Sequence, residues 1–130
     1  MTLAEYFSTG PPFEKPIFDA VLSHVQTLGP VYVEPVSVGI FLKNGRTFAE
    51  LRPKTKWIAL SLSLPRQIDH PKIGPKVQFW GGSYYHVFNL SDPSELDERI
   101  RDYLAEAYFV KADLTASRAS RRAPRASPDS

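Results

Sequence analysis

Hydrophobic residues recur along this 130-residue chain at two periods, and the switch between them marks where helix gives way to strand. Ile17, Phe18, Val21, Leu22, Val25 and Leu28 fall on one stripe at helical spacing and predict an amphipathic helix from about 12 or 16 to 28. Pro16 suits its first turn, and Gly29 with Pro30 supplies the stop signal. Upstream, Thr2 and Glu5 stand at capping-box spacing. The period then drops to two. Val36, Val38, Ile40 and Leu42 share one side of an extended segment, and Asn44-Gly45 signals a tight hairpin into residues 46–53. After a turn through Lys54, Thr55 and Lys56, Ile58, Leu60, Leu62 and Leu64 face one way while Trp57, Ala59, Ser61 and Ser63 face the other.

Residues 65–76 hold three prolines and a glycine, which predicts a long irregular connection of the kind that carries function or mobility. Strands at 77–80 and 84–90 follow, separated by Gly81-Gly82. Asp92, Pro93 and Glu95 read as N-cap, first-turn proline and capping-box acid of a last helix with the stripe Leu96, Ile100, Tyr103, Leu104 and Ala107. The pattern predicts an α+β fold: an antiparallel meander of about five strands, with an N-terminal and a C-terminal helix packed on one face. Residues 1–112 form its single domain. Residues 113–130 are rich in Arg, Ser, Ala and Pro, hold no large apolar residue after Leu114, and are expected to be a disordered tail.

With 42% apolar and 12% aromatic residues, the chain has material for one core. It contains no cysteine, which excludes disulfides, thiolate metal sites and cysteine nucleophiles. The first residues lack the apolar stretch of a secretory signal, and no run approaches the length of a membrane helix, so a cytoplasmic location and no membrane partner are expected. Net charge is only +2, yet residues 43–76 carry eight cations against two anions, whereas 1–42 carry one against four and 77–112 three against six.

Leu28-Gly29-Pro30-Val31, Phe48-Ala49 followed by Arg52-Pro53 and a leucine-rich strand, His86 in the last strand, and Glu95-Leu96-Asp97-Glu98 leading to Glu106-Ala107-Tyr108 recur here in order. Together they resemble domain-of-unknown-function family 5655 over residues 1 to about 110. The resemblance implies a small bacterial or archaeal domain, found alone or fused to other modules. It implies no activity.

The usual catalytic signatures are missing: no Gly-x-Ser-x-Gly elbow, no His-Glu-x-x-His and no glycine-rich phosphate loop. No cofactor or metal is implied. His24, His70 and His86 fall on a helix, a loop and a strand without ligand-like spacing, and each reads first as a structural imidazole. Glu95, Glu98, Asp102 and Glu106 lie opposite the apolar stripe of the last helix, as its wet face would, with Arg99 in reach of Glu95. The basic middle remains. Lys43 and Arg46 flank one hairpin turn, Arg52, Lys54 and Lys56 the next, and Arg66, Lys72 and Lys76 follow in the loop. Cations beside an exposed tryptophan suit phosphate contact with base stacking, although lysines at hairpin turns are also ordinary solubilising chemistry. The candidate ligand-binding residues are Arg52, Lys54, Lys56, Trp57, Trp80, Tyr84 and His86. They predict a non-catalytic module for an anionic ligand, nucleic acid or protein partner. The alternative is a small enzyme centred on His86, Tyr84 and Gly81-Gly82.

Overall fold

The computed structural model describes the backbone of residues 1–74 and 77–122, and side chains as far as Lys111. Two helices come first, α1 (Leu3–Phe7) and α2 (Glu14–Gln26). Six strands follow: β1 (Tyr32–Val36), β2 (Gly39–Asn44), β3 (Arg46–Pro53), β4 (Ile58–Leu64), β5 (Gln78–Trp80) and β6 (Ser83–Leu90). After a 3-10 turn at Pro93–Glu95 the chain ends in α3 (Glu98–Arg122). All strands join one antiparallel sheet in the order β1-β2-β3-β4-β6-β5, so the α+β class holds.

Six strands replace the expected five because the run 32–44 is not continuous. It folds back at Ser37-Val38, where Val36 pairs with Gly39, and Val38 lies 55% exposed in the turn instead of on the core face. Gly39 is required at that fold: a Cβ there would sit 2.5 Å from the Leu51 carbonyl oxygen. The order also departs from a simple meander. β6, with His86, Phe88 and Leu90 fully buried, takes the place beside β4, while the short and wholly exposed β5 is pushed to the edge. The strand with apolar residues to hide wins the covered position.

The predicted alternation sets the core. Ile58, Leu60, Leu62 and Leu64 of β4 pair with Leu90, Phe88, His86 and Tyr84 of β6, and Leu60 and Leu62 pair on the other side with Leu51 and Ala49 of β3. This face is closed by Ile17, Phe18, Val21 and Val25 of α2 and by Ile100, Leu104, Ala107 and Tyr108 of α3. A bulge opposite Leu42 and Lys43 leaves Phe48 unpaired between Thr47 and Ala49. Phe48 is thereby buried next to Ala49, its ring meeting Tyr108 edge-on at 5.3 Å. Among the described residues, α2 and α3 both pack on this one face.

The N-terminal cap forms as expected, with Thr2 and Glu5 bonded reciprocally. The C-terminal signature does not start the long helix. Asp92 and Pro93 make the 3-10 turn, Leu96 leaves helical geometry at ψ 79°, and α3 starts afresh from Asp97, whose Oδ1 accepts the Ile100 N–H at 2.8 Å. α3 runs through Arg122, beyond the expected boundary at 112, along a stretch without glycine or proline until Pro124. The rest of the expected tail, 123–130, lies outside the described residues.

The proline-rich connection is strapped down. Arg66 makes a two-point contact with Glu106 at 2.8 and 3.1 Å, and Ile68 is buried. Arg99 donates to the Asp69 carbonyl and not to Glu95, which instead takes Lys72 at 2.8 Å. His70 Nδ1 accepts the Lys72 N–H at 3.0 Å while Nε2 lies 2.9 Å from Asp97 Oδ2, so Nε2 carries the donated proton. Residues 72–74 then bond to the outer edge of β6 at Val87 and Asn89. Asp97 thus serves as cap of α3 and anchor of the loop. Asp97→Ala is expected to lower unfolding free energy by about 0.5–2 kcal/mol through the lost cap, measured by urea titration, and to accelerate amide exchange at Lys72 and Ile73. Unchanged exchange there would show that His70–Asp97 does not hold the loop.

Candidate functional site

Positions in the sheet decide which candidate residues meet. Lys54, Lys56 and Trp57 lie in the turn between β3 and β4, closed by a 2.7 Å bond from the Lys54 N–H to the Trp57 carbonyl, at the sheet end where Ile58 faces Leu90. Trp80 pairs with Ser83 at the other end of β6, about 20 Å away at roughly 3.3 Å per residue. Trp80 is 74% exposed, and Gly81 and Gly82, both at positive φ, only turn that hairpin. Tyr84 points to the helix-covered side with Phe79, ring centroids 4.8 Å apart. Of the seven residues proposed from sequence, Lys54, Lys56 and Trp57 therefore stand at one end of the sheet, next to Arg52 at the end of β3, and Trp80 and Tyr84 at the other.

His86 belongs to neither group. It is fully buried opposite Leu62, and its Nε2 accepts the Ile68 N–H at 3.0 Å, which leaves the proton on Nδ1 within the core. Burial pushes its pKa below the ordinary value of 6.5, with the backbone at Tyr84 opposing part of that shift. With one nitrogen spent on the backbone and no accessible face, His86 has no route to a substrate, and the alternative centre around His86, Tyr84 and Gly81-Gly82 does not assemble.

The basic middle is likewise dispersed. Lys43 pairs with Glu34, Arg52 with Glu50, Arg66 with Glu106 and Lys72 with Glu95, whose carboxyl is held below its usual range by the Lys72 ammonium. Lys43 and Arg46 emerge at the end opposite Lys54 and Lys56. Lys76 lies outside the described residues. Among the described residues, Lys54 and Lys56 make no ion pair.

What the fold does build is a cleft beside Trp57. Its volume is about 420 Å³, and it is walled by Trp57, the strapped segment Pro71–Gly74, Asn89 and Ser91. The indole is 37% exposed. Among the described residues the side chains of Trp57, Asn89 and Ser91 engage no hydrogen bond, so an indole N–H, an amide and a hydroxyl remain available. Lys72 lines the same cleft but is tied to Glu95, so among the described residues the unpaired positive charge at this end comes from Lys54 and Lys56. Asn89 and Ser91 escaped the sequence reading because only the 72–74 pairing with β6 turns them into a wall.

Two buried charged groups were also missed. Glu14 is 2% exposed and Lys111 7% exposed. Each continues an apolar stripe by helical steps: Glu14 precedes Ile17, Val21 and Val25, and Lys111 follows Leu104 and Ala107. That spacing was the available signal. Burial pushes Glu14 up and Lys111 down from their ordinary values. Among the described residues no group of metal-ligating side chains gathers, and no helix is long and apolar enough to cross a membrane.

The family model described as "Domain of unknown function (DUF5655)" matches residues 3–111. No curated protein and no solved structure matches the chain.

For His86 the sign of the pH effect is fixed. Its folded pKa is lowered, so it stabilises the fold above the unfolded value near 6.5 and that stabilisation is lost as pH falls through it. His86→Ala is expected to lower stability at pH 7.5 by about 1–3 kcal/mol and to flatten the loss of stability between pH 6.5 and 5. Urea titrations at several pH values measure both; a variant of normal stability would contradict the structural role.

Proposed function

The chain belongs to the DUF5655 family, a domain of unknown function, and from the cleft beside Trp57 we propose that it is a non-catalytic binding module for a small anionic ligand with an aromatic ring. The observation that carries this reading is one turn presenting a half-exposed indole and two lysines without an ion pair among the described residues, beside a cleft where the side chains of Trp57, Asn89 and Ser91 engage no hydrogen bond among those residues. An indole face stacks on an aromatic ring for about 1–3 kcal/mol, and the ammonium groups meet an anion such as phosphate. Asn89 and Ser91 offer hydrogen bonds that fix orientation.

Size and charge favour a small ligand over a polymer. The cleft falls within the roughly 300–1,000 Å³ of small-molecule sites. A nucleic-acid strand needs cations in line, and here four of the eight in 43–76 are held by carboxylates while others leave from opposite ends of the sheet.

Trp80→Phe leaves Trp57 as the single tryptophan and makes its fluorescence a direct probe. Titration with AMP is expected to change that emission saturably, and adding Lys54→Ala and Lys56→Ala is expected to raise Kd about five- to fifty-fold and reduce its salt dependence. Adenosine, which lacks the anion, should bind more weakly than AMP. No saturable change up to 10 mM AMP, or equal binding with and without the lysines, would overturn the reading.

A further inference from the structure

Glu14 opens α2 on its inward side, and a carboxyl there loses water without gaining a cation. Tyr6 of α1 donates its hydroxyl to Glu14 Oε2, and among the described residues Glu14 has no ion pair. Burial is the largest influence on its proton affinity and pushes it up, with the Tyr6 bond opposing; the same contact raises Tyr6. An isolated buried carboxylate is costly, which makes the position informative.

The second carboxylate oxygen faces a cavity. Glu14 lines this space of about 120 Å³ together with Met1, Tyr6, Thr9, Gly10, Ser37 and Pro53. Oε1 makes no hydrogen bond among the described residues and lies on the Gly10 side, 3.5 Å from where a Cβ of that glycine would stand. Gly10 has φ 111°, a geometry that also excludes ordinary side chains. The lining therefore brings together a carboxyl group, an aromatic ring, a proline, the exposed Met1 and two hydroxyl-bearing residues. At about 30 Å³ per water it holds roughly four waters' worth of volume, room for a charged head group with one or two methylenes.

We propose that this cavity is a recognition site for an alkylammonium or guanidinium group, with Glu14 as the counter-ion. Carboxylate, hydroxyl oxygens and the face of Tyr6 are all attractive to a cation with N–H donors, and apolar walls suit its methylenes. The cavity offers no cationic side chain to an anion, and a neutral apolar occupant would leave Oε1 without a donor. The proposal is independent of the Trp57 cleft, from which it shares no lining residue.

The test uses the whole chain and amide proton–nitrogen NMR, which reads weak binding residue by residue. Butylammonium and methylguanidinium chloride should give saturable shifts at Thr9, Gly10 and Ser37, with the amides of Trp57 and Asn89 unmoved. Sodium chloride at equal strength should not. Glu14→Gln keeps an acceptor for Tyr6 while removing the charge, so it should retain melting temperature yet bind at least ten-fold more weakly. Tyr6→Phe keeps the charge, and it should bind within a few-fold of the parent. A blocked Gly-Lys-Gly peptide separates two sources of the same chemistry: tighter binding than butylammonium assigns the site to a partner's side chain, weaker binding to a free amine. No saturable shifts up to 50 mM of either salt, or equal binding by a folded Glu14→Gln protein, would overturn the proposal.

Discussion

The inward row of β4 is the constraint on which the rest of this molecule depends. Ile58, Leu60, Leu62 and Leu64 are all fully buried, each worth about 1.5–3 kcal/mol as area removed from water. They lie mid-sheet, so whatever flanks β4 must be apolar on the same side and whatever covers it must offer a matching stripe. β3 and β6 meet the first demand with Leu51, Phe88 and Leu90, and α2 and α3 meet the second. With both helices committed to one side, the opposite side is left to small and polar residues, Ala59, Ser61, Ser63 and Asn89, and to the aromatic residues at its margins.

That commitment also determines the treatment of the long connection. Residues 65–74 have to cross from the end of β4 to the outer edge of β6 past the exposed margin between sheet and α3. They close it with Ile68 and His70, the latter edge-on to Phe88 at 5.5 Å. Backbone groups brought into this region need partners. His86 supplies one for Ile68, and the outer edge of β6 supplies others for Lys72 and Gly74. The segment that composition marks as loose is thus the wall of the Trp57 cleft, and its fixed position is what gives the cleft a shape.

Charge is disposed by the same logic. The cations in the middle of the chain and the carboxylates of its last third are complementary, and the fold brings Arg66 to Glu106 and Lys72 to Glu95. These exposed or half-exposed pairs contribute little stability individually. Their larger effect is on the surface potential, because they cancel a basic segment that looks, in one dimension, like a binding strip. Lys54 and Lys56, on the turn beside Trp57, meet no carboxylate among the described residues.

The elements whose signal is local are legible in the chain alone: the capping box at Thr2 and Glu5, the α2 stripe, the β4 alternation and the α+β class. Period and cap chemistry act over a few residues, so they can be read from a few residues. Long-range packing is what displaces β5 from the place beside β4 in favour of β6, makes Ser37-Val38 a turn and turns His86 into a buried prop for Ile68. The same packing pairs Lys72 with Glu95 and brings Asn89 and Trp57 into the lining of one cleft. Each of these is settled by competition for burial and for hydrogen-bond partners between residues far apart in the chain, and neither competition leaves a mark on the local pattern.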